Sequence, residues 1–160
     1  MKKIIIAWIL VFTSFGYSQN CKYEKNEIDE FTKNKILETK FEWLTPNQGY
    51  AFKKINKSKN LKIKLNYNSV FSIRKNDKIM FLTENNEPIT LLFEETVISN
   101  ILNLNNFYII TLINISDKIV DRFKNESINK IRIYYSDGYL DYDVKEKRAK
   151  KFKEILKCIE

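Results

Sequence analysis

The sequence predicts an α+β fold: a mostly antiparallel sheet of about eight or nine strands, built as a meander and hairpins, with two late helices packed on it. Three observations predict this class. Short alternating segments separated by turn residues fill much of 35–114 and 128–144. Segments with helical spacing follow Ser116 and Asp143. Hydrophobic residues make up 44% and aromatic residues 14% of the chain, as in globular domains.

The first 18 residues have the layout of a secretory signal peptide. Two lysines precede the apolar run 4–12, whose helix would measure about 14 Å, too short for a bilayer core of about 30 Å. Small residues place the cleavage after Ser18. We therefore expect a signal peptide over 1–18, a single domain over 19–160, an exported protein that is periplasmic or extracellular, and no transmembrane segment in the mature chain.

The first strands are expected between residues 35 and 67. Residues 35–44 alternate as in a strand but also carry apolar residues at helical spacing; a strand is favoured, and the helix remains the alternative. Residues 49–55 and 61–67 predict a hairpin around the turn 56–60. In its second strand the apolar residues face inward and the lysines face outward.

Residues 70–93 predict a three-stranded meander with turns at 76–77 and 85–86. These turns place Met80 and Leu82 in one apolar row that crosses all three strands, so the meander has a single core face. A further strand with a buried character is predicted at 107–113.

The clearest hairpin signal is the Asp-Gly pair at 137–138. Read as a two-residue loop, it places Tyr134 opposite Asp141 and Arg132 opposite Asp143 on one face. The other face then pairs apolar or aromatic residues throughout.

The first helix is expected to begin at Ser116, a favourable N-cap residue, and the second after Asp143, with Glu146 at capping-box spacing. Seven basic residues in 145–160 cover the outside of the second helix, which reads as an ordinary solvated surface. The inward-facing residues are Ile119, Val120 and Phe123 in the first helix and Phe152, Ile155, Leu156 and Ile159 in the second.

The two cysteines, Cys21 and Cys158, predict a disulfide. A lipid anchor on Cys21 is disfavoured because Ser18 and Asn20 occupy the positions where a lipoprotein signal needs a leucine-like and a small residue. A reactive thiol is disfavoured because the chain has no histidine to activate it. An even cysteine count in an exported chain supports the disulfide.

The composition excludes several classes of enzyme. Without histidine there is no His-based triad or zinc site, and with only Gly49 and Gly138 beyond the signal there is no phosphate-binding or dinucleotide loop. Asp137, Asp141 and Asp143 lack the spacing of a calcium-binding loop. Glu94 and Glu95 are interpreted as solvated residues at the end of a strand. We expect no catalytic residue, no metal and no cofactor. The alternative is a carboxylate-based hydrolase acting on envelope glycan, whose two carboxylates meet only in the fold.

The formal net charge is +8, and residues 51–76 hold basic residues without any acidic one. This pattern predicts a basic face, either an ordinary solvated surface or a binding site for an envelope polyanion such as lipopolysaccharide, an acidic glycan or an acidic protein; nucleic acid is not expected. The candidate basic face comprises Lys53, Lys54, Lys57, Lys59, Lys62, Lys64, Arg74 and Lys75.

Tyr134 and Tyr139 share the outer face of the last hairpin. They are candidate contact residues, or they pack under a neighbouring segment.

Four segments, YEKNEIDEFT, VFSIRKNDKIMFL, ITLLFEETVISN and INKIRIYYSDGYLDYDVKEKRAKKF, together resemble a group of small exported proteins of Bacteroidota. This group has glycine at two turns where the present chain has Asn76 and Asn86; both residue types tolerate a left-handed backbone. The resemblance covers most of the predicted mature chain. It implies an exported protein of this fold and no catalytic residue.

Overall fold

The structure is a computed structural model that describes residues 21–103 and 105–160. The predicted signal peptide over 1–18 lies outside the described residues. The fold is mostly antiparallel α+β, as predicted, but the described residues form thirteen strands rather than eight or nine. The strands are β1 Tyr23–Ile28, β2 Lys35–Thr39, β3 Glu42–Trp43, β4 Gln48–Ile55, β5 Ser58–Tyr67, β6 Ser72–Ile73, β7 Lys78–Thr83, β8 Pro88–Leu92, β9 Val97–Ile98, β10 Asn100–Asn103, β11 Asn106–Asn114, β12 Ile128–Tyr135 and β13 Gly138–Asp143. The helices are α1 Asp117–Asn125 and α2 Glu146–Leu156, and a 3₁₀ turn, Lys157–Ile159, follows α2.

Three sheets divide these strands. The largest has the order β1-β2-β4-β5-β11-β10, with β3 also paired to β4, and it curls into a half-barrel. The second has the order β13-β12-β7-β8, and β6 pairs with β9 in a small third sheet. Most of the excess over the predicted strand number comes from two-residue strands and from β1 and β10 at the sheet edges, which are too short or too exposed to show a clear alternation.

The core is centred on Phe152 of α2. Its ring lies 4.8 Å from Tyr50 and 5.0 Å from Phe52, both on β4, measured between ring centroids. The same ring lies 5.2 Å from Phe123 of α1 and 6.4 Å from Phe81 of β7. Both large sheets and both helices therefore meet at one aromatic cluster, in the tilted and edge-on geometries that aromatic rings prefer.

The predicted hairpin and strand in the first half are confirmed. Within residues 35–44 the structure has the strands β2 and β3 and no helix, and β4 pairs with β5 over eight residue pairs. The turn between them is tighter than predicted, because only Asn56 and Lys57 separate the strands. Asn56 has a φ of 52°, a left-handed conformation that asparagine tolerates.

The predicted meander is wrong in two respects. Its first strand, β6, pairs with β9 and not with β7. The β7–β8 hairpin does form, but Ile79 faces Leu91 and Phe81 faces Ile89, one residue away from the predicted register. The loop is one residue longer than predicted and contains Asn86 at a φ of 59°. Because a one-residue shift exchanges the two faces of a strand, Ile79 and Phe81 are buried in place of Met80 and Leu82.

The last hairpin is also shifted, but by two residues. Its loop is Ser136-Asp137, so Tyr134 faces Tyr139 and Arg132 faces Asp141. A shift of two residues preserves the faces and changes only the partners. Gly138 begins β13 with a φ of 140°, a conformation that side-chain-bearing residues rarely adopt.

Of the two predicted helix caps, the one on α1 is present and the one on α2 is not. Ser116 caps α1 as predicted, because its hydroxyl accepts a hydrogen bond from the backbone N–H of Ile119 at 3.4 Å. Asp143 does not cap α2: it is the last residue of β13, and its carboxylate lies 3.5 Å from the ammonium group of Lys130. The N-cap position of α2 is Lys145, which makes no capping hydrogen bond with its side chain.

The predicted disulfide between Cys21 and Cys158 is present, with the two Cα atoms 5.7 Å apart. The hydroxyl of Tyr23 donates a hydrogen bond of 2.9 Å to the carbonyl of Cys158 and so reinforces this junction. The start of β1 is thereby fastened to the end of the chain. Among the described residues, the helices are all too short or too polar to cross a membrane.

Candidate binding surface

The predicted basic residues lie in several places instead of on one face. Lys53, Lys62 and Lys64 share the outer face of the large sheet, because they alternate with buried residues of β4 and β5. Lys54 and Lys59 are opposite each other on the other face. The remaining three lie in turns: Lys57 between β4 and β5, and Arg74 and Lys75 between β6 and β7.

Several of these lysines are paired with carboxylates that the sequence analysis did not single out. Glu38 of β2 is only 5% exposed, and its carboxylate lies 2.5 Å from the ammonium group of Lys62 and 3.6 Å from that of Lys53. Lys59 forms an ion pair of 2.8 Å with Asp117, and this contact lowers the pKa of the Asp117 carboxyl. The charge available to a ligand is therefore smaller than the lysine count suggests.

Two aromatic rings, one exposed and one half-buried, lie beside the outward-facing lysines. The ammonium group of Lys62 is 5.1 Å from the ring centroid of Phe41, and that of Lys64 is 5.5 Å from the ring centroid of Tyr108. Both distances fall within the range of cation–π attraction. Phe41 and Trp43 remain 37% and 43% exposed, respectively.

The strand register places these residues in one surface. Trp43 is opposite Gly49, Gly49 is opposite Lys64, and Lys64 is opposite Ile110, in a row across four strands. A Cβ atom on Gly49 would lie 3.6 Å from the ring of Phe41, an ordinary van der Waals distance, so the ring of Phe41 lies over this position of β4. We call this surface the lysine–aromatic face; it comprises Phe41, Trp43, Lys62, Lys64, Tyr108, Ile110 and Leu112.

A cleft of about 720 Å³ adjoins this face, and Trp43 belongs to both. One wall is β3 and the other is the outward side of α2, whose basic residues the sequence analysis assigned to ordinary solvated surface. Trp43 is 43% exposed and its neighbour Leu44 is 1% exposed, and no pattern in the sequence shows which of these two apolar residues faces solvent. The cleft is lined by Glu42, Trp43, Glu146, Lys147, Arg148, Lys150, Lys151 and Glu154.

The carboxylates of the cleft differ in their pairing. Glu146 lies 2.7 Å from Lys150, whose hydrogen bond and charge lower the pKa of the Glu146 carboxyl. Glu154 lies 3.7 Å from Lys151. The general acid of a glycosidase needs a raised pKa, so Glu146 is shifted in the direction opposite to that role.

A buried hydroxyl lies close to this cleft. Tyr50 is 1% exposed, and its hydroxyl has no hydrogen-bond partner among the described residues. Burial raises the pKa of Tyr50 far above its ordinary value, and the charges of Glu42 and Glu154 add to the shift. Glu42 and Glu154 line the cleft from opposite walls, and the charges of both act on the hydroxyl of Tyr50.

Tyr134 and Tyr139 are brought together on the outer face of the second sheet, with ring centroids 5.9 Å apart. The guanidinium group of Arg132 lies 4.2 Å from the ring of Tyr139 and donates two hydrogen bonds of 2.6 Å to Asp141. The predicted pairing of Arg132 with Asp143 is therefore wrong, because the hairpin register places Asp141 opposite Arg132. Tyr139 remains 54% exposed, so this cluster is a second aromatic surface, remote in the sheet order from the first.

Within residues 21–103 and 105–160, no group of three acidic or cysteine side chains is placed to hold a metal ion. Comparison with known proteins found no matching protein-family model, no matching curated protein and no matching solved structure.

Proposed function

We propose that this protein is an exported, non-catalytic binding domain that holds an acidic glycan of the cell envelope on its lysine–aromatic face. The observation that carries the proposal is the combination, on one open sheet face, of the exposed rings of Phe41 and Trp43 with two lysine ammonium groups, one over Phe41 and one over the half-buried ring of Tyr108. Export is part of the proposal and is supported by the signal-like residues 1–18, the resemblance to exported proteins and the disulfide.

The chemistry of this face favours a saccharide over a simple polyanion. An aromatic ring offers an apolar surface to the C–H groups on one side of a sugar ring, and a lysine attracts a carboxylate or sulfate group on the same sugar. Lys64 has no ion pair among the described residues, so its charge remains available to a ligand. An acidic glycan carries both of the features that this face recognises.

The experiment is retention on immobilised polygalacturonate, comparing Lys64→Glu with Lys75→Glu. Both variants change the net charge by the same amount, but Lys75 lies in the turn before β7, off the lysine–aromatic face. We expect Lys64→Glu to weaken binding about tenfold or more, because a charge-assisted contact becomes a repulsion. Lys75→Glu should change binding only slightly. Equal retention of the two variants would show that net charge, and not this face, determines binding.

The hydrolase remains a second candidate, favoured by one observation: Glu42 and Glu154 approach the cleft from opposite walls. Its test is the release of reducing ends from the same polysaccharide by the wild-type protein and by Glu42→Gln and Glu154→Gln. Release that depends on both carboxylates would establish hydrolysis and replace the non-catalytic proposal. An unchanged polymer after prolonged incubation would support binding alone.

A further inference from the structure

We infer that the cleft between β3 and α2 is the subsite for one or two acidic sugar residues, with a sugar ring stacked on Trp43 and its anionic group held by Lys147 and Arg148. The inference rests on the proposed function, because it assigns one end of the glycan to this cleft. Trp43 connects the two surfaces, so a chain lying along the lysine–aromatic face can continue into the cleft.

The size of the cleft suits this ligand. Its volume of about 720 Å³ lies within the range of small-molecule sites, roughly 300–1,000 Å³. Trp43 is 43% exposed, which leaves part of the indole available to a ligand. Such a ring presents a large, rigid contact area and loses little conformational entropy on binding.

The ion pairs in the cleft leave two cations free. Lys150 and Lys151 are paired with Glu146 and Glu154, whereas Lys147 and Arg148 make no ion pair with any described residue. Arg148 is half-buried, so part of its side chain is already held in place. A planar guanidinium group binds a carboxylate or sulfate through two parallel hydrogen bonds, and Lys147 adds a second charge.

The same cleft discriminates against simple anions. Glu42 is half-buried in its wall and has no cationic partner among the described residues. A carboxylate in this position repels phosphate or another bare anion but accepts hydrogen bonds from sugar hydroxyl groups. A ligand that places its anionic group at Lys147 and Arg148 and its hydroxyl groups at Glu42, such as a uronic acid, therefore suits both walls of the cleft better than a bare anion.

The experiment is calorimetric titration of the full mature chain with tetragalacturonate. The variants are Trp43→Ala, Lys147→Ala and the double variant Lys147→Ala with Arg148→Ala. Lys157→Ala is the matched control, because it removes the same charge from an exposed position just beyond α2 and outside the cleft. We expect the Kd to rise about tenfold for Trp43→Ala and by more for the double variant, with no change for Lys157→Ala. Lys147 is exposed, so its single variant keeps the test valid if the double variant unfolds.

The outcomes separate the inference from the proposed function. Two results would overturn the assignment of the cleft as a sugar subsite but leave the proposed binding on the lysine–aromatic face. One is that the wild type is retained on polygalacturonate but does not bind the tetramer. The other is that Lys147→Ala and Lys157→Ala have equal effects. Displacement of the tetramer by sodium phosphate as readily as by glucuronate shows a simple anion site and also overturns the inference. Failure to bind either polymer or tetramer overturns the proposed function, and the inference with it.

Discussion

At the scale of single residues, the buried carboxylate of Glu38 compensates the charges of two lysines in the large sheet. The carboxylate is nearly buried, and two lysines from neighbouring strands converge on it. Lys53 and Lys62 keep only 22% and 24% of their side chains exposed, so their charges are partly desolvated and need this partner. These two lysines therefore stabilise the sheet, and binding depends on the unpaired ones such as Lys64.

The buried hydroxyl of Tyr50 leads to the first prediction. We expect Tyr50→Phe to raise the free energy of unfolding by up to about 1 kcal/mol, because the variant keeps the ring contacts with Phe52 and Phe152 and removes an unpaired polar group. The measurement is urea denaturation at neutral pH. Tyr139→Phe, at an exposed position, is the control and should change stability by less than about 0.5 kcal/mol. A loss of stability in Tyr50→Phe would mean that the hydroxyl is hydrogen-bonded after all.

At the scale of secondary structure elements, turn chemistry decides the register. The β7–β8 loop uses three residues because Asn86 adopts a left-handed backbone, which lets the strands pair one residue away from the register of a two-residue loop. Apolar residues occupy both faces of β7, so Met80 and Leu82 formed as convincing an apolar row as Ile79 and Phe81.

The conformation of Asn86 gives the second prediction. Asn86→Ala should lower the free energy of unfolding by about 1 kcal/mol, since a residue with a Cβ and no side-chain amide tolerates a φ of 59° poorly. Asn86→Gly should be neutral or slightly stabilising, because glycine adopts this conformation without strain. Thermal unfolding followed by circular dichroism measures both. The neighbouring Asn85→Ala serves as the control, and an equal loss there would remove the conformational explanation.

The features that the sequence predicted correctly are those determined by residues close together in the chain. The cap at Ser116, the inward stripe of α2 and the outward lysines of β5 each follow from neighbours a few positions away. The candidate site has no such local cause. Trp43 and Arg148 line one cleft although they are far apart in the chain, and only the packing of α2 beside β3 brings them together.

At the scale of the whole molecule, one aromatic cluster and one disulfide hold the parts together. Phe152 joins both large sheets and both helices, and the bond between Cys21 and Cys158 spans 137 positions of the sequence. In the chain-entropy account, closing a loop of this length stabilises the fold by about 5 kcal/mol. The second wall of the cleft is α2, so the disulfide just beyond its end also helps to keep that wall in place.

The charge distribution gives the last prediction, which concerns acid. Five carboxyls have pKa values lowered in the folded protein, chiefly by hydrogen bonds from backbone N–H groups, hydroxyls, lysines or arginines. In such a group the stabilisation is complete above the unfolded pKa of about 4 and is lost as the pH falls through the lower, folded value. These groups are Asp29, Asp117, Glu126, Asp141 and Glu146.

We therefore expect the urea midpoint to stay nearly constant between about pH 6 and pH 8 and to fall progressively below about pH 4. The constant region follows from the sequence, which contains no histidine to titrate near pH 6. Arg132→Gln should make the acid-induced fall shallower, because the guanidinium group no longer lowers the pKa of Asp141. Lys157→Gln, which removes a charge without breaking such a pair, should leave the profile unchanged in shape. A midpoint that rises on acidification would contradict the prediction, because it would mean that the folded chain binds more protons than the unfolded chain and that the carboxyl pKa values are on balance raised by folding.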